Sequence, residues 1–256
     1  MFLAIDAGNT HTTFGIFKDD KIKFTFRIST KALHDKEVLS DFLNTTFQSL
    51  NIDFSEINNV GISSVVPSVD NILEEIIEQL FNKKSFFITP NINLPFKLLV
   101  DNPSEVGADR ICNVVAGYKK YGGPLIIVDF GTATVYDVIS KEGNFIGGVI
   151  APGIQTSAKA LFQAAEKLPE VELKFPEKVI GTNTVSNMQS GIMFGALDAF
   201  EGMVKRISNE LNDDVKIILT GGFSKLIASK SSLNTFLEFE LVLEGIKILT
   251  DICDSK

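Results

Sequence analysis

Two short runs of the chain repeat one chemistry at a spacing that limits the fold. Asp6-Ala-Gly-Asn-Thr10 follows the apolar stretch Phe2–Ile5, and Asp129-Phe-Gly-Thr-Ala-Thr134 follows the apolar stretch Leu125–Val128. The two lie 123 residues apart (6 to 129) in a chain of 256. After the first, Thr12–Phe17 and Ile22–Ile28 read as strands around the turn Lys18-Asp19-Asp20. After the second, Val135–Ile139 and Phe145–Ile150 read as strands around Lys141-Glu142-Gly143-Asn144. A matched pattern at half the chain length implies duplication of one β-β-β-α unit. The expected fold is therefore α/β: two duplicated domains, 1–118 and 119–256, each a mixed sheet flanked by helices, with a cleft between them.

The remaining segments fit that frame. Lys36–Leu50 has helical spacing, with Val38, Leu39, Phe42, Leu43 and Phe47 on one face, and Pro67–Leu80 opens on a proline, where the missing N–H costs little. Val60–Ser64, Lys84–Ile88 and Val215–Leu219 read as strands. Val185–Leu211 reads as one long helix that is apolar on two faces: Met188, Ile192, Ala196, Ala199, Met203 and Ile207 on one, Phe194, Leu197, Phe200, Val204 and Leu211 on the other. Burial on both sides suggests either a subunit interface or a central core helix.

Composition narrows the partners. The net charge of −8 leaves no excess of Lys and Arg to neutralise nucleic-acid phosphates. No apolar run approaches the roughly 18 residues that span a bilayer, and the start of the chain lacks the basic segment of a secretory signal. Two cysteines, Cys112 and Cys253, without pairing or metal spacing point to a reducing, cytoplasmic compartment. Two histidines make a histidine-based zinc site an unsuitable reading.

Each Asp-x-Gly run has the chemistry of an anion loop. Gly8 lets backbone N–H groups approach an anion, and Asn9 and Thr10 add donors. A carboxylate beside a phosphate needs a cation between them, so Asp6 is a candidate Mg²⁺ ligand, directly or through water. Gly131 and Thr132 repeat the arrangement, with Asp129 as the second acid. A plain hairpin turn is the alternative for each run taken alone. Thr220-Gly-Gly222, after Val215–Leu219, offers open backbone to a ring or phosphate, or is simply a tight turn. The chain has no Gly-x4-Gly-Lys-Ser/Thr, Gly-x-Gly-x-x-Gly or Gly-x-Ser-x-Gly run.

Asp101-Asn-Pro-Ser-Glu-Val-Gly-Ala-Asp-Arg110 leads from a loop into a helix with Ile111, Val114, Val115 and Tyr118 on its apolar face. Asp109 in the first turn could accept a hydroxyl proton as that oxygen attacks a phosphorus, and Arg110 could grip a carboxylate or phosphate in two-pronged fashion. The alternative is an acid favoured by the helix dipole and an exposed Arg. Gly181-Thr-Asn-Thr184 opens the long helix, with Thr184 as its expected N-cap.

Taken in order, Asp6–Thr10, Gly107–Arg110, Asp129–Thr134, Gly181–Thr184 with Gln189-Ser-Gly191, and Thr220–Gly222 closely resemble type III pantothenate kinase over essentially the whole chain. The resemblance implies membership of the acetate and sugar kinase/Hsp70/actin superfamily, with duplicated ribonuclease H-like domains. It implies ATP-dependent phosphorylation of pantothenate, the first step toward coenzyme A, with Mg²⁺, a monovalent cation (K⁺ or NH₄⁺) and a homodimer formed through helix 185–211. Carried over by position, Asp109 would be the general base. Gly107, Ala108, Asp109, Arg110 and Thr184 would contact pantothenate. Asp6, Ala7, Gly8, Asn9, Thr10, His11, Thr12, Thr13 and Thr132 would hold the ATP phosphates, and Gly221 and Gly222 would lie near the adenosine. Asp129 would ligate the monovalent cation. One departure is Val100, where many members place a Tyr that lines the pantothenate pocket. The rival readings are another phosphotransferase or phosphatase of the superfamily, and a non-catalytic nucleotide-binding regulator.

Overall fold

The computed structural model describes residues 1–254. They form two compact units. The first comprises residues 1–97, 101–116 and 240–254, and the second 98–100 and 117–239. A boundary at residue 118 leaves residues 240–254 in the second half, whereas the structure packs them into the first unit.

The first unit is built on a five-stranded mixed sheet. Its strands are β1 (Phe2–Ala7), β2 (His11–Lys18), β3 (Lys21–Ser29), β4 (Asn59–Ser64) and β5 (Ser85–Phe87), in the order β3-β2-β1-β4-β5. β1 and β2 form an antiparallel hairpin that pairs Ala7 with Thr12, while β4 runs parallel to β1. β1 has apolar residues on both faces because both faces are covered. Leu3, Ile5 and Ala7 enter a core with Leu39, Leu43 and Phe47 of helix α1 (Lys36–Leu50) and Leu73 and Ile77 of α2 (Pro67–Phe81). Asp35 caps α1 by accepting from Glu37 N and Val38 N, and α2 starts on Pro67. Both helices end on an Asn in the left-handed region, Asn51 and Asn82, where a short polar side chain is tolerated. Of the face predicted for α1, Val38 is exposed.

The other face of the sheet, where alternation puts Phe2, Ala4 and Asp6, is covered by α7 (Leu241–Asp254). A Cβ on Gly61 of β4 would stand 2.5 Å from Thr250 Oγ1 and 2.6 Å from Ile246, so only glycine lets this helix lie so near the strand. Gly245 gives the same helix a second close approach, to the Cys112 backbone carbonyl. Cys112 belongs to α3 (Ala108–Tyr121), whose first turns lie in this unit.

The second unit repeats the plan. Strands β6 (Leu125–Phe130), β7 (Ala133–Ile139), β8 (Phe145–Pro152), β9 (Lys216–Thr220) and β10 (Thr235–Leu237) form a sheet in the order β10-β9-β6-β7-β8. The β6–β7 hairpin is antiparallel and β9 is parallel to β6. Position for position this is the first sheet again, which is the duplicated ribonuclease H-like architecture expected from the sequence. Ile126, Val128 and Phe130 pack with Met193, Leu197, Phe200 and Val204 of α5 (Thr184–Leu211). α4 (Ile154–Ala164) and α6 (Ser224–Ala228) complete the unit. α4, β10 and α7 go beyond the elements expected from the sequence. Among the described residues no helix is long and apolar enough to cross a membrane.

Candidate active site

The first loop is the turn of the β1–β2 hairpin. Gly8 N donates to His11 O at 3.1 Å, which leaves Asn9 and Thr10 as the tip, and Asn9, Thr10 and His11 are exposed. Asp6 is half-buried at the end of β1, followed by buried Ala7. Thr12 is fully buried, and its hydroxyl lies 3.0 Å from that of Thr30. Its side chain therefore faces the interior, leaving the backbone and the half-buried Thr13 to meet a ligand from that strand. Thr30, in turn, donates its hydroxyl proton to Gly8 O at 2.6 Å and its N–H to Thr10 O at 3.0 Å.

The second loop is the turn of the β6–β7 hairpin. Gly131 N donates to Ala133 O at 3.0 Å, and Gly131 and Thr132 are exposed. Thr132 O accepts from Gly153 N at 3.1 Å and from Thr156 Oγ1 at 2.6 Å. Thr30 and Gly153 stand in the same relation to their hairpins, each on the segment that leaves the third strand, but neither carries a signal in the sequence beyond that repeat spacing.

Asp129 ends β6 beside the Thr220-Gly-Gly222 turn. Gly221 has φ +84°, and a Cβ there would lie 2.4 Å from Asp129 Oδ1 and 2.7 Å from the Phe130 backbone. The glycine is thus required twice, by its left-handed backbone and by its contact with the acid. Gly222 is open, with no atom within 4 Å of an added Cβ. Ser224 pins the turn by donating its hydroxyl proton to Gly221 O at 2.7 Å. As for metals, the described residues hold no group of three or more His, Cys, Asp or Glu side chains that could form a protein-only cage. A single carboxylate beside an anion loop suits instead a cation that takes most of its ligands from phosphate, carbonyl groups and water.

Asp109 occupies the second position of α3. Its Oδ1 accepts from Arg110 N at 2.8 Å. A Cβ on Gly107 would sit 2.5 Å from that same Oδ1, so the missing side chain at 107 gives the carboxylate its space. Burial pushes the Asp109 carboxyl above the ordinary range, against the opposing pull of the Arg110 N–H and charge. One turn on, burial holds the Cys112 thiol well above its usual range, and the nearby carboxylates of Asp6 and Asp109 add to the effect. Asp6, Asp109 and Cys112 thus form one neighbourhood within the first unit. Ala108 is buried, and Gly107 and Arg110 are half-buried.

Thr184 is exposed and is the first residue of α5, but it is not the cap. Asn183 fills that role, its side chain accepting from Ser186 N at 2.9 Å, with Ser186 reaching back to Asn183 N. An Asn one residue earlier competes for the same free N–H groups and wins because Thr184 already has helical backbone. Gln189 and Ser190 are buried and anchor the preceding segment through Glu172 O at 2.9 Å and Val179 O at 2.5 Å. α5 buries Met193, Leu197, Phe200 and Val204 in its own unit; of the other predicted face, Met188 and Ile207 are buried too, and Ala199 is exposed.

Comparison with known proteins bears on the fold and the family. In solved structures, the fold is similar to an activator of 2-hydroxyisocaproyl-CoA dehydratase from Clostridium difficile with bound ADPNP (TM-score 0.57, 9% identity, 100% of this chain and 97% of that one). It is also similar to the ethanolamine utilization protein EutJ from Carboxydothermus hydrogenoformans (TM-score 0.57, 11% identity, 97% and 89%). At these identities the likeness is one of fold. In sequence, the chain is 42% identical to a type III pantothenate kinase of Koribacter versatilis over 97% of this chain and 94% of that protein. It is 42% identical to one of a Geobacillus strain over 97% and 96%. The family model for type III pantothenate kinase matches residues 2–206, a span that holds both hairpin loops, the Asp109 helix start and most of α5. The chain belongs to the type III pantothenate kinase family.

Proposed function

We propose that this chain transfers the γ-phosphoryl group of ATP to the terminal hydroxyl of pantothenate, the first step toward coenzyme A, with Asp109 as the general base. The observation that carries the reading is the half-buried Asp109 carboxylate at the start of α3, inside the Gly107–Arg110 motif of a chain that belongs to this kinase family. An alcohol is a poor nucleophile at neutral pH, and its proton must leave as the phosphorus–oxygen bond forms. Asp109 takes that proton, and burial makes it a better base than an exposed carboxylate. Gly107, Ala108, Arg110 and Thr184 orient pantothenate, with the Arg110 guanidinium suited to its carboxylate.

The loop Asp6–Thr13 and Thr132 hold the ATP phosphates through backbone N–H groups and hydroxyls, and Gly221 and Gly222 lie along the adenosine. Asp6 would hold Mg²⁺, directly or through water, and Asp129 a monovalent cation, K⁺ or NH₄⁺. These cations supply charge neutralisation to the triphosphate when bound. Exposed Ala199 and Val185 on α5, with exposed Val179 and Ile180 just before it, support a homodimer through that helix. Free Cys112 and Cys253 accord with a cytoplasmic setting.

The decisive experiment is a coupled ADP-release assay in K⁺ buffer. ADP release that requires pantothenate supports the reading, and ATP binding without it would favour a non-catalytic regulator.

A further inference from the structure

Both hairpin loops are held from behind by a clamp that the proposed chemistry does not use directly. In the first unit, Thr30 opens the single 3-10 turn Thr30–His34 that follows β3. It is 2% exposed, and Thr12 beside it is 0% exposed. Thr30 Oγ1 lies 2.6 Å from Gly8 O, a carbonyl that can only accept, so the Thr30 proton is committed to it. The oxygen of Thr30, 3.0 Å from Thr12 Oγ1, then accepts the Thr12 proton. Two buried hydroxyls thus form a directed chain ending on the loop, each bond polarising the next. Thr30 N–H adds a second tie, to Thr10 O at 3.0 Å.

The consequence lies in the peptide planes. In a trans peptide the C=O and the following N–H point opposite ways. Drawing the Gly8 carbonyl inward turns the Asn9 N–H outward, toward where an anion would sit. The second unit ties its loop at a different carbonyl. There Thr132 O accepts both Gly153 N at 3.1 Å and Thr156 Oγ1 at 2.6 Å, which turns the Ala133 N–H the other way. Each loop is thus tied by a backbone N–H from the segment after its third strand, to Thr10 O or Thr132 O, and by a Thr hydroxyl to one of its carbonyls, which points to a requirement on the loop and not to incidental packing.

We propose that Thr30, and Thr156 in the second copy, are positioning residues that set the outward aim of the loop N–H groups and so the affinity for the ATP phosphates. The inference rests on the ATP reading of these loops. The test uses the full chain with Thr30→Val, Thr30→Ser and Thr156→Val, reading the KM for ATP and for pantothenate together with amide hydrogen exchange over residues 8–11 and 131–133. Thr30→Val, which keeps the shape and removes the donor, should raise the KM for ATP about tenfold. It should leave the KM for pantothenate within about twofold and speed exchange at 8–11. Thr30→Ser should restore both readouts. Thr156→Val is on an exposed position and keeps the proposal testable should Thr30→Val fail to fold; it should raise the KM for ATP and speed exchange at 131–133. Folded valine variants with wild-type exchange and wild-type KM for ATP would overturn the proposal, as would equal rises in both KM values. Faster exchange in the valine variants of a wild type that shows no ATP turnover would uphold the clamp and sink the kinase reading instead.

Discussion

Replacing Asp109 by Asn isolates proton transfer from everything else at the site. The amide is nearly isosteric, so the space left by Gly107 still accommodates it, and its Oδ1 still accepts from Arg110 N. What is lost is the base. Loss of a positioned base costs about 10²–10⁴ in turnover, or about 2.7–5.5 kcal/mol in the barrier. Folding should not suffer, and the sign follows from the direction of the shift. The Asp109 carboxyl is raised from 3.8, so the folded chain holds this proton to higher pH than the unfolded chain. Stability from this group is therefore complete below the ordinary carboxylate range and falls as pH rises through the folded value. At pH 8 the buried charge is a net cost, which Asn removes. Asp109→Asn should melt at or above the wild-type temperature at pH 8. Its kcat in the coupled ADP-release assay should fall at least a hundredfold, with pantothenate still bound in calorimetry. The acid limb of wild-type turnover should lie above pH 3.8, reflecting the raised carboxyl. A folded variant with kcat within about threefold of wild type would remove Asp109 from the mechanism.

Two other expectations concern the second unit. Turnover should depend on K⁺ or NH₄⁺, and equal rates in buffer holding only Na⁺ would count against a cation role for Asp129. Gly221→Ala should lower the melting temperature by several degrees and raise the KM for ATP, because left-handed backbone costs about 1–3 kcal/mol and the methyl meets Asp129 Oδ1 at 2.4 Å. Gly222→Ala, with open space around it, should melt like the wild type; a similar loss of stability in both variants would show that the contact with Asp129 is not the cause.

The parts of the fold that sequence made legible are those fixed by local rules. α1 has the predicted bounds, since an Asp cap, a clear apolar face and an Asn stop all act within the segment. The hairpins are visible because alternation and turn residues coincide. α7 was not anticipated, although it is strongly apolar: its partner is β1, more than 200 residues earlier, and only the folded chain brings Gly61 and Thr250 together. Asp6, Asp129 and Asp109 stand out because each lies beside a glycine at the end of an element, and the runs of the first two repeat 123 residues apart. Thr30, Thr156 and Gly153 do not, since a Thr after a strand looks like any other Thr until its hydroxyl is found under a loop. Thr184 reads as a cap because its hydroxyl can accept a helix N–H, and Asn183 takes the role by standing one residue earlier with an extended backbone.

The return of the chain to its first unit sets an order on synthesis. The sheet of residues 2–87 keeps one face without its covering helix until residues 241–254 have left the ribosome, after the whole second unit has been made. Trimming the chain before Leu241 should therefore unfold the unit that was translated first. Placing residues 240–254 ahead of Met1, in a permuted chain that opens in an exposed loop of the second unit, should let the first unit fold without that wait.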